Sequence, residues 1–353
     1  SEHARAMPAP PVTATPVAFA RAIAEAYRRR GLSPHAALAR AGVAPVVLAQ
    51  ADACITARQM EWLSDAAMRE LDDEGLGCFS RRLPWGSYGM LARASISAPT
   101  LHLALKRWCR HHGLIADDLR LSVQSHGDRA ELLVREVRPL PRPLREFALV
   151  HVLRNALGLA CWLIDSRIAL AASRFPFAPP PHAQAYDVLF PGPVSFGAGE
   201  AALRFDARYL ALPLARDEAA LSRMLQHALP LTVRPYQRDR LLVARLRQAL
   251  LAHPGEPHTA EAAARWLHVS PSTLHRHLRA EGSSLQLVKD GLHREAACEL
   301  LVRGRQPLKQ VARVVGFASD KAFIRAFKTW TGQTPQAYRE AAWGEASDMF
   351  KQS

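Results

Sequence analysis

The feature that most constrains this chain is a pattern that occurs twice toward its C-terminal end, over residues 260–278 and 308–327. In the second copy, Leu308-Lys309-Gln310-Val311-Ala312-Arg313-Val314-Val315 carries apolar residues at helical spacing and stops at Gly316, the residue type that adopts φ > 0 at least cost. Phe317-Ala318-Ser319 then supplies an aromatic predicted to be buried and a Ser N-cap. A second helix is predicted over 320–329, with Phe323 and Phe327 turned inward at i, i+4. The first copy repeats the logic. Ala260, Ala263, Ala264 and Leu267 form an inner face, His268-Val269-Ser270-Pro271 turns the chain, and Leu274 and Leu278 anchor the next helix. Two helices closed by so short a turn are a helix-turn-helix, and a continuous helical pattern over 285–301 joins the pair.

The outward faces decide the chemistry. They are Ser272, His275, Arg276 and Arg279 in the first copy, and Lys321, Ile324, Arg325 and Lys328 in the second. Side chains at i, i+3, i+4 and i+7 form the strip that faces base edges when a helix lies in the major groove of B-DNA. Arg pairs bidentately with guanine O6 and N7, Ser and His donate or accept, and Ile meets a thymine methyl. Ser272, His275, Arg276, Arg279, Lys321, Ile324 and Arg325 are therefore the base-facing candidates, and Arg303, Arg305, Lys309 and Lys328 the phosphate candidates. Any amphipathic helix has a charged outer face. The argument for more is that Arg276 and Arg325 occupy equivalent places in two copies with matching inner patterns. Charge agrees, since residues 259–339 hold 13 Lys or Arg against 6 Asp or Glu, half of the formal +14 in under a quarter of the chain.

Residues 236–340 resemble the DNA-binding domain of AraC-type transcription regulators. The resemblance is carried by Val311-Ala312, Gly316-Phe317, Phe323, Arg325, Phe327-Lys328, Gly332, Thr334-Pro335 and Tyr338-Arg339, with Arg294, Ala297 and Leu300-Leu301 in the linking helix. His268 stands where the family commonly has Gly, and Lys321 and Ile324 where it commonly has small hydroxyl residues. The resemblance implies two recognition helices entering successive major-groove segments on one face of the duplex, about 34 Å apart.

The front two-thirds reads as an α+β module. Helices are expected over 17–30, after Ser33-Pro34-His35 and before Gly42, and over 56–71 and 100–112, with the Gly-containing stretches 74–77 and 86–89 as punctuation. Residues 119–124 and 130–137 alternate around His126-Gly127-Asp128, a hairpin signal. An amphipathic core helix is expected over 147–164, where His151, Arg154 and Asn155 argue against a membrane span. Strands are expected at 168–175, 193–196 and 202–206, with a helix at 182–190.

This order resembles the N-terminal ligand-binding and dimerisation domain of one branch of the AraC-type regulators. The matching residues are Gly86-Ser87-Tyr88-Gly89, Ser97-Ala98-Pro99-Thr100-Leu101, Ala104-Leu105, Tyr186, Phe190, Pro193-Val194 and Phe196-Gly197. The resemblance implies a small organic effector of the amino acid, organic acid or fatty acid class, and a homodimer. Segment 218–229 or the 147–164 helix could supply the dimer contact, and either could equally be core. Arg82, Trp85 and Tyr88 flank the Gly turn as effector candidates, with core packing the competing role for Trp85 and Tyr88. Arg81, Arg82 and Arg93 beside the turn favour an acidic ligand.

The expected architecture is an α+β effector domain followed by an all-α DNA-binding domain with two helix-turn-helix units joined by a linking helix. Residues 1–15 are expected as a disordered tail, 16–228 as the effector and dimerisation domain, 229–235 as a Pro-containing linker, 236–342 as the DNA-binding domain and 343–353 as a C-terminal tail. The five cysteines are scattered and odd in number, which fits a reducing, cytoplasmic setting. Cys109 and His112 share one helical turn, too few ligands for a metal, and Ser195 lacks the Gly a nucleophile elbow needs. The reading is a sequence-specific DNA-binding transcription regulator, not an enzyme, controlled by an effector. Its partners are a double-stranded DNA operator and a second copy, with RNA polymerase a further candidate. No cofactor, metal or membrane is expected. Two rivals are a DNA-binding unit fused to a repair alkyltransferase, which needs a nucleophilic Cys, and an effector-independent architectural protein, which needs no α+β module.

Overall fold

Residues 13–226 and 239–351 are described by the computed structural model, and the chain divides into two units between Arg240 and Leu241. In the first, Thr13–Pro16 (β1) pairs antiparallel with Cys54–Thr56 (β2) and runs directly into Val17–Arg29 (α1). The expected tail at 1–15 is therefore corrected at its end, because β2 satisfies the backbone from Thr13 onward. Residues 1–12 lie outside the described residues. His35–Ala41 (α2) ends at left-handed Gly42, and Pro45–Leu48 (α3) follows. Ala57–Glu70 (α4) starts on a reciprocal cap in which Thr56 accepts from the Gln59 N–H and Gln59 accepts from the Thr56 N–H.

A buried carboxylate then organises the chain between helices. Asp73 accepts from the N–H groups of Gly75, Gly77 and Leu83 at 2.9–3.0 Å and pairs with Arg30 at 2.8 Å. This coil delivers Ser87–Ser95 (α5), which corrects the expectation that 86–89 is only a turn. Gly86, at φ 100, makes the turn, and the helix begins at Ser87. Leu101–Ile115 (α6) follows, capped by Thr100.

Leu119–His126 (β3) and Arg129–Glu136 (β4) form the hairpin expected around Gly127-Asp128. Arg142–Ile164 (α7) packs against α1, α6 and the sheet. It is buried on nearly every face, not one-sided as expected, because sheet and helices cover it from both sides. It is long and apolar enough to cross a membrane, but its most apolar window is 78% buried within the fold, the position of a core helix. Leu170–Arg174 (β5), Val194–Ser195 (β6) and Ala201–Asp206 (β7) complete a sheet of order β3-β4-β7-β5-β6, antiparallel except for β5 with β6. The helix expected at 182–190 is a 3₁₀ turn, Ala183–Ala185, followed by Tyr186–Leu189 (α8). Glu218–Leu225 (α9) packs against α5, and a Cβ on Gly89 would meet the Leu225 side chain at 3.3 Å. The expected linker at 229–235 lies outside the described residues.

The second unit is helical: Leu242–Ala252 (α10), Ala260–Trp266 (α11), Pro271–Ala280 (α12), Leu285–Arg303 (α13), Leu308–Val315 (α14), Asp320–Thr331 (α15) and Pro335–Lys351 (α16). It has two cores. Leu246, Leu250, Ala263, Leu274, Leu278 and Val288 fill the first; Ala297, Leu301, Val311, Phe323 and Phe327 fill the second. Helix α13 gives residues to both. The expected tail from 343 is corrected, since α16 runs on to Lys351.

Candidate nucleic-acid interface and effector site

The two helix-turn-helix units are built by the same local devices. Ser270 accepts from the Thr273 N–H and Ser319 from the Ala322 N–H, each at 3.2 Å, so both recognition helices, α12 and α15, begin on a Ser cap. In the turns, Gly316 has φ 100 and His268 has φ 55, so His268 holds the left-handed geometry that the family commonly assigns to Gly. Phe317, expected to be buried, is half-buried against the second core.

Burying Leu274 and Leu278 on α12, and Phe323 and Phe327 on α15, turns the predicted stripes to solvent. Ser272, His275, Arg276 and Arg279 are exposed, as are Lys321, Arg325 and Lys328, while Ile324 is half-buried. Among the described residues, Arg276, Arg279, Lys309, Lys321, Arg325 and Lys328 have side chains in no ion pair. Of the remaining phosphate candidates, Arg303 pairs with Glu299 at 2.6 Å and Arg305 lies over the Trp343 ring at 5.5 Å. The surface thus presents two strips of uncommitted cations on capped helices, the arrangement that duplex DNA fits.

The effector candidates separate in space. Arg82 is exposed and pairs with Asp72 at 3.5 Å, and Trp85 is 43% exposed beneath Arg69, whose guanidinium lies 4.3 Å from the ring centroid. Arg81 and Arg93 are also paired at the surface, with Asp117 at 3.6 Å and Glu218 at 2.8 Å. Only Tyr88 turns inward. Its N–H donates to Glu74 at 2.8 Å, its ring stacks on Trp108 at 5.7 Å, and its hydroxyl lies 3.1 Å from His112 Nε2.

Helix α7 brings His151 beside His112, and Arg154, three residues on, reaches the Leu189 carbonyl and the Phe190 ring instead. Burial holds the His112 imidazole down at about 4, with His151 a smaller influence, and burial followed by the Arg154 charge does the same for His151. Burial also lowers the Arg154 guanidinium, to about 10. Sequence reasoning singled out His151 and Arg154 only as marks against a membrane span. The available signal was polar groups within an otherwise apolar helix.

The thiols bear on the enzyme rival. Burial raises Cys109 and Cys161 to about 12 and pushes Cys78 up as well, so the thiolate a methyl-accepting nucleophile needs is disfavoured at each.

Comparison with known proteins follows the same division of the chain. The model for the arabinose-binding domain of AraC transcription regulators, N-terminal, matches residues 31–214, more than half of the sequence, and a helix-turn-helix domain model matches residues 263–341. The chain belongs to the AraC family of transcription regulators. It is 29% identical over 327 residues to the ornithine utilization regulator of Pseudomonas aeruginosa, covering 92% of this chain and 96% of that protein. It is 26% identical to the HTH-type transcriptional regulator VirS of Mycobacterium tuberculosis, over 88% of this chain and 92% of that one. The crystal structure of the transcriptional regulator CdpR from Pseudomonas aeruginosa aligns over 92% of this chain and 98% of its own, at 20% identity and a TM-score of 0.34. As an AraC-family member the protein is a DNA-binding transcription regulator with an N-terminal effector domain, not an enzyme.

Proposed function

We propose that this AraC-family regulator reads its operator with Ser272, His275, Arg276 and Arg279 from one recognition helix and Lys321, Ile324 and Arg325 from the other. Lys309, Lys328, Arg303 and Arg305 hold phosphates, the last two after leaving Glu299 and Trp343. The observation that carries this is the pair of exposed, unpaired arginines, Arg276 and Arg325, at matching places on two Ser-capped helices. Working boundaries are 16–228 for the effector and dimerisation domain, 229–235 for the linker and 236–342 for the DNA-binding domain. The protein works in the cytoplasm as a homodimer, with RNA polymerase as a further partner. Its effector is an amino acid, organic acid or fatty acid; the name of the ornithine utilization regulator supports the first of these. Of Arg82, Trp85 and Tyr88, Tyr88 is best placed for that ligand.

Selection of bound duplexes from a random pool, followed by footprinting, tests the DNA reading. Two protected major-groove tracts about one helical turn (roughly 34 Å) apart are expected for each DNA-binding domain. A single tract, or no enriched sequence, would refute it. Sedimentation of the full chain tests the dimer, and a monomer at micromolar concentration would exclude it.

A further inference from the structure

The C-terminal end of α7 is answered by chain that arrives from far along the sequence. A helix leaves its last carbonyls without intrahelical partners, and three of those of α7 accept, in order, from later segments. Arg216 Nε donates to the Trp162 carbonyl and the Ala215 N–H to the Leu163 carbonyl, each at 2.7 Å, and Arg240 Nη1 donates to the Ile164 carbonyl at 2.8 Å. A guanidinium suits that place, because it meets both the open carbonyls and the negative end of the helix dipole. The Arg240 N–H also donates to Ser166 Oγ at 2.9 Å, and beside it the buried Asp239 accepts from the Tyr209 hydroxyl at 2.7 Å. The chain therefore leaves the end of α7 at Arg216 and is back there at Arg240, beyond the linker proposed at 229–235.

The second unit is gripped just as early. Helix α10 begins at Leu242, and its N-cap, Leu241, has no side-chain oxygen to answer the first N–H groups. Glu281 does so instead: its carboxylate accepts from the Leu242 N–H at 2.6 Å and from the Val243 N–H at 3.2 Å. Glu281 is the C-cap of the recognition helix α12, and Leu242 and Val243 lie in the same core as Leu274 and Leu278 of that helix. The N–H of Arg240 is thus held within the first unit and the N–H of Leu242 within the second. Two residues of chain span at most about 7 Å, so the join has almost no slack.

We infer that Arg240 and Glu281 are positioning residues for operator recognition, and that this regulator, lacking a free tether at the join, binds two DNA sites tightly at one helical phase only. The inference rests on the homodimer and operator readings above and adds the rule by which the operator is laid out. Neither residue touches DNA in that reading. Their effect falls on avidity, since the second site of a dimer is met at high effective concentration only where the join lets it be reached. Moving one site by about 5 base pairs carries it roughly 17 Å along the duplex and to the opposite face, further than a join of two residues can follow. A Gly-Ser tether follows it, because twelve such residues have an r.m.s. reach of roughly 19 Å.

Two copies of a selected site are placed on duplexes whose separation grows one base pair at a time through a full turn, and the full chain is titrated against each and against a single site. Wild type should show one affinity maximum per turn and a loss of at least about tenfold half a turn away. A twelve-residue Gly-Ser stretch inserted between Arg240 and Leu241 should flatten the profile to within about threefold while single-site affinity is kept. Arg240→Ala and Glu281→Ala should each broaden the profile, and Glu281→Gln, which keeps an acceptor for one N–H group, should restore most of the phase preference. Point variants that lower single-site affinity and keep the phase preference would overturn the positioning role. Sedimentation of the same samples separates the levels. A dimer with a flat wild-type profile, or an insertion variant with the wild-type profile, sinks the inference and leaves the regulator. A monomer that fills the two sites independently sinks the dimer reading and the inference with it. If a point variant does not fold, the insertion decides, because it lies between the two anchored N–H groups and removes neither.

Discussion

His268 and Gly316 solve the same turn with different residues, and the difference has a measurable consequence. An L-residue at φ 55 carries a backbone cost that glycine does not, and the His268 side chain is exposed with little packing to lose. His268→Gly is expected to stabilise the second unit by about 0.5–1 kcal/mol, read as a higher urea midpoint; a lower midpoint would show that the imidazole has a structural partner. Arg276→Ala and Arg325→Ala should each cost about 1–3 kcal/mol of operator affinity, mainly at one base position, whereas Lys309→Ala should weaken all sequences alike and reduce the salt slope by about one. Binding assays on single-base operator variants across a salt series distinguish the two behaviours. The imidazoles of His112 and His151, held at about 4, set a third expectation. Below about 6.5 the unfolded chain takes up protons that the fold refuses, so the first unit should lose stability as pH falls from about 6.5 to about 4, by up to about 3 kcal/mol for each group. Denaturation of wild type against His112→Gln and His151→Gln would show a shallower slope in the variants; parallel slopes would place the titration elsewhere. Arg276 and Arg325 were legible in the sequence because exposure follows the helical repeat. The inward turn of Tyr88 was not, because no local pattern tells which face of a short helix meets the core.

At the scale of elements, the readable ones carry their own signals. Thr56 with Gln59, Ser270 and Ser319 mark helix starts, Gly127-Asp128 marks the hairpin, and Phe323 and Phe327 mark a buried face. Helix α5 has no such signal: its N-cap is Gly86, the Ser87 N–H donates to the Pro84 carbonyl, and the Tyr88 N–H donates to Glu74, brought in by the coil around Asp73. Strands β1 and β2 were missed because each is short and exists only through the other. Helix α13 supplies Val288 to one core and Ala297 and Leu301 to the other, so its rotation fixes one recognition helix against the other. Inserting one Ala after Leu292, the last residue of α13 packed on the first core, turns the halves by about 100° about the α13 axis. The expected result is two intact cores in hydrogen exchange but operator affinity reduced to that of a single unit. Unchanged affinity would mean that α13 is not the element that sets the spacing.

At the scale of the whole molecule, the order of an α+β unit before an all-α unit was legible from changing periodicity, and the basic surplus marked which unit meets DNA. The contact between α5 and α9 was not, because it joins helices remote in sequence. Tyr88 touches His112 and Trp108; Gly89, the next residue, abuts Leu225 of α9; and Arg93, one turn on, is tied to Glu218 at the start of that helix. After α9 the chain passes to the second unit. A molecule that tightens on Tyr88 is expected to restrain α9 through Gly89, and Gly89→Val, by crowding Leu225, should loosen α9. Hydrogen exchange across Glu218–Leu225 should slow on ligand binding in wild type and stay fast in that variant, and identical exchange with and without ligand would rule the route out. The absent side chain at position 89 then acts as a clearance in a mechanical linkage: it lets two helices ride against each other closely enough that occupancy at one end becomes freedom or restraint at the other.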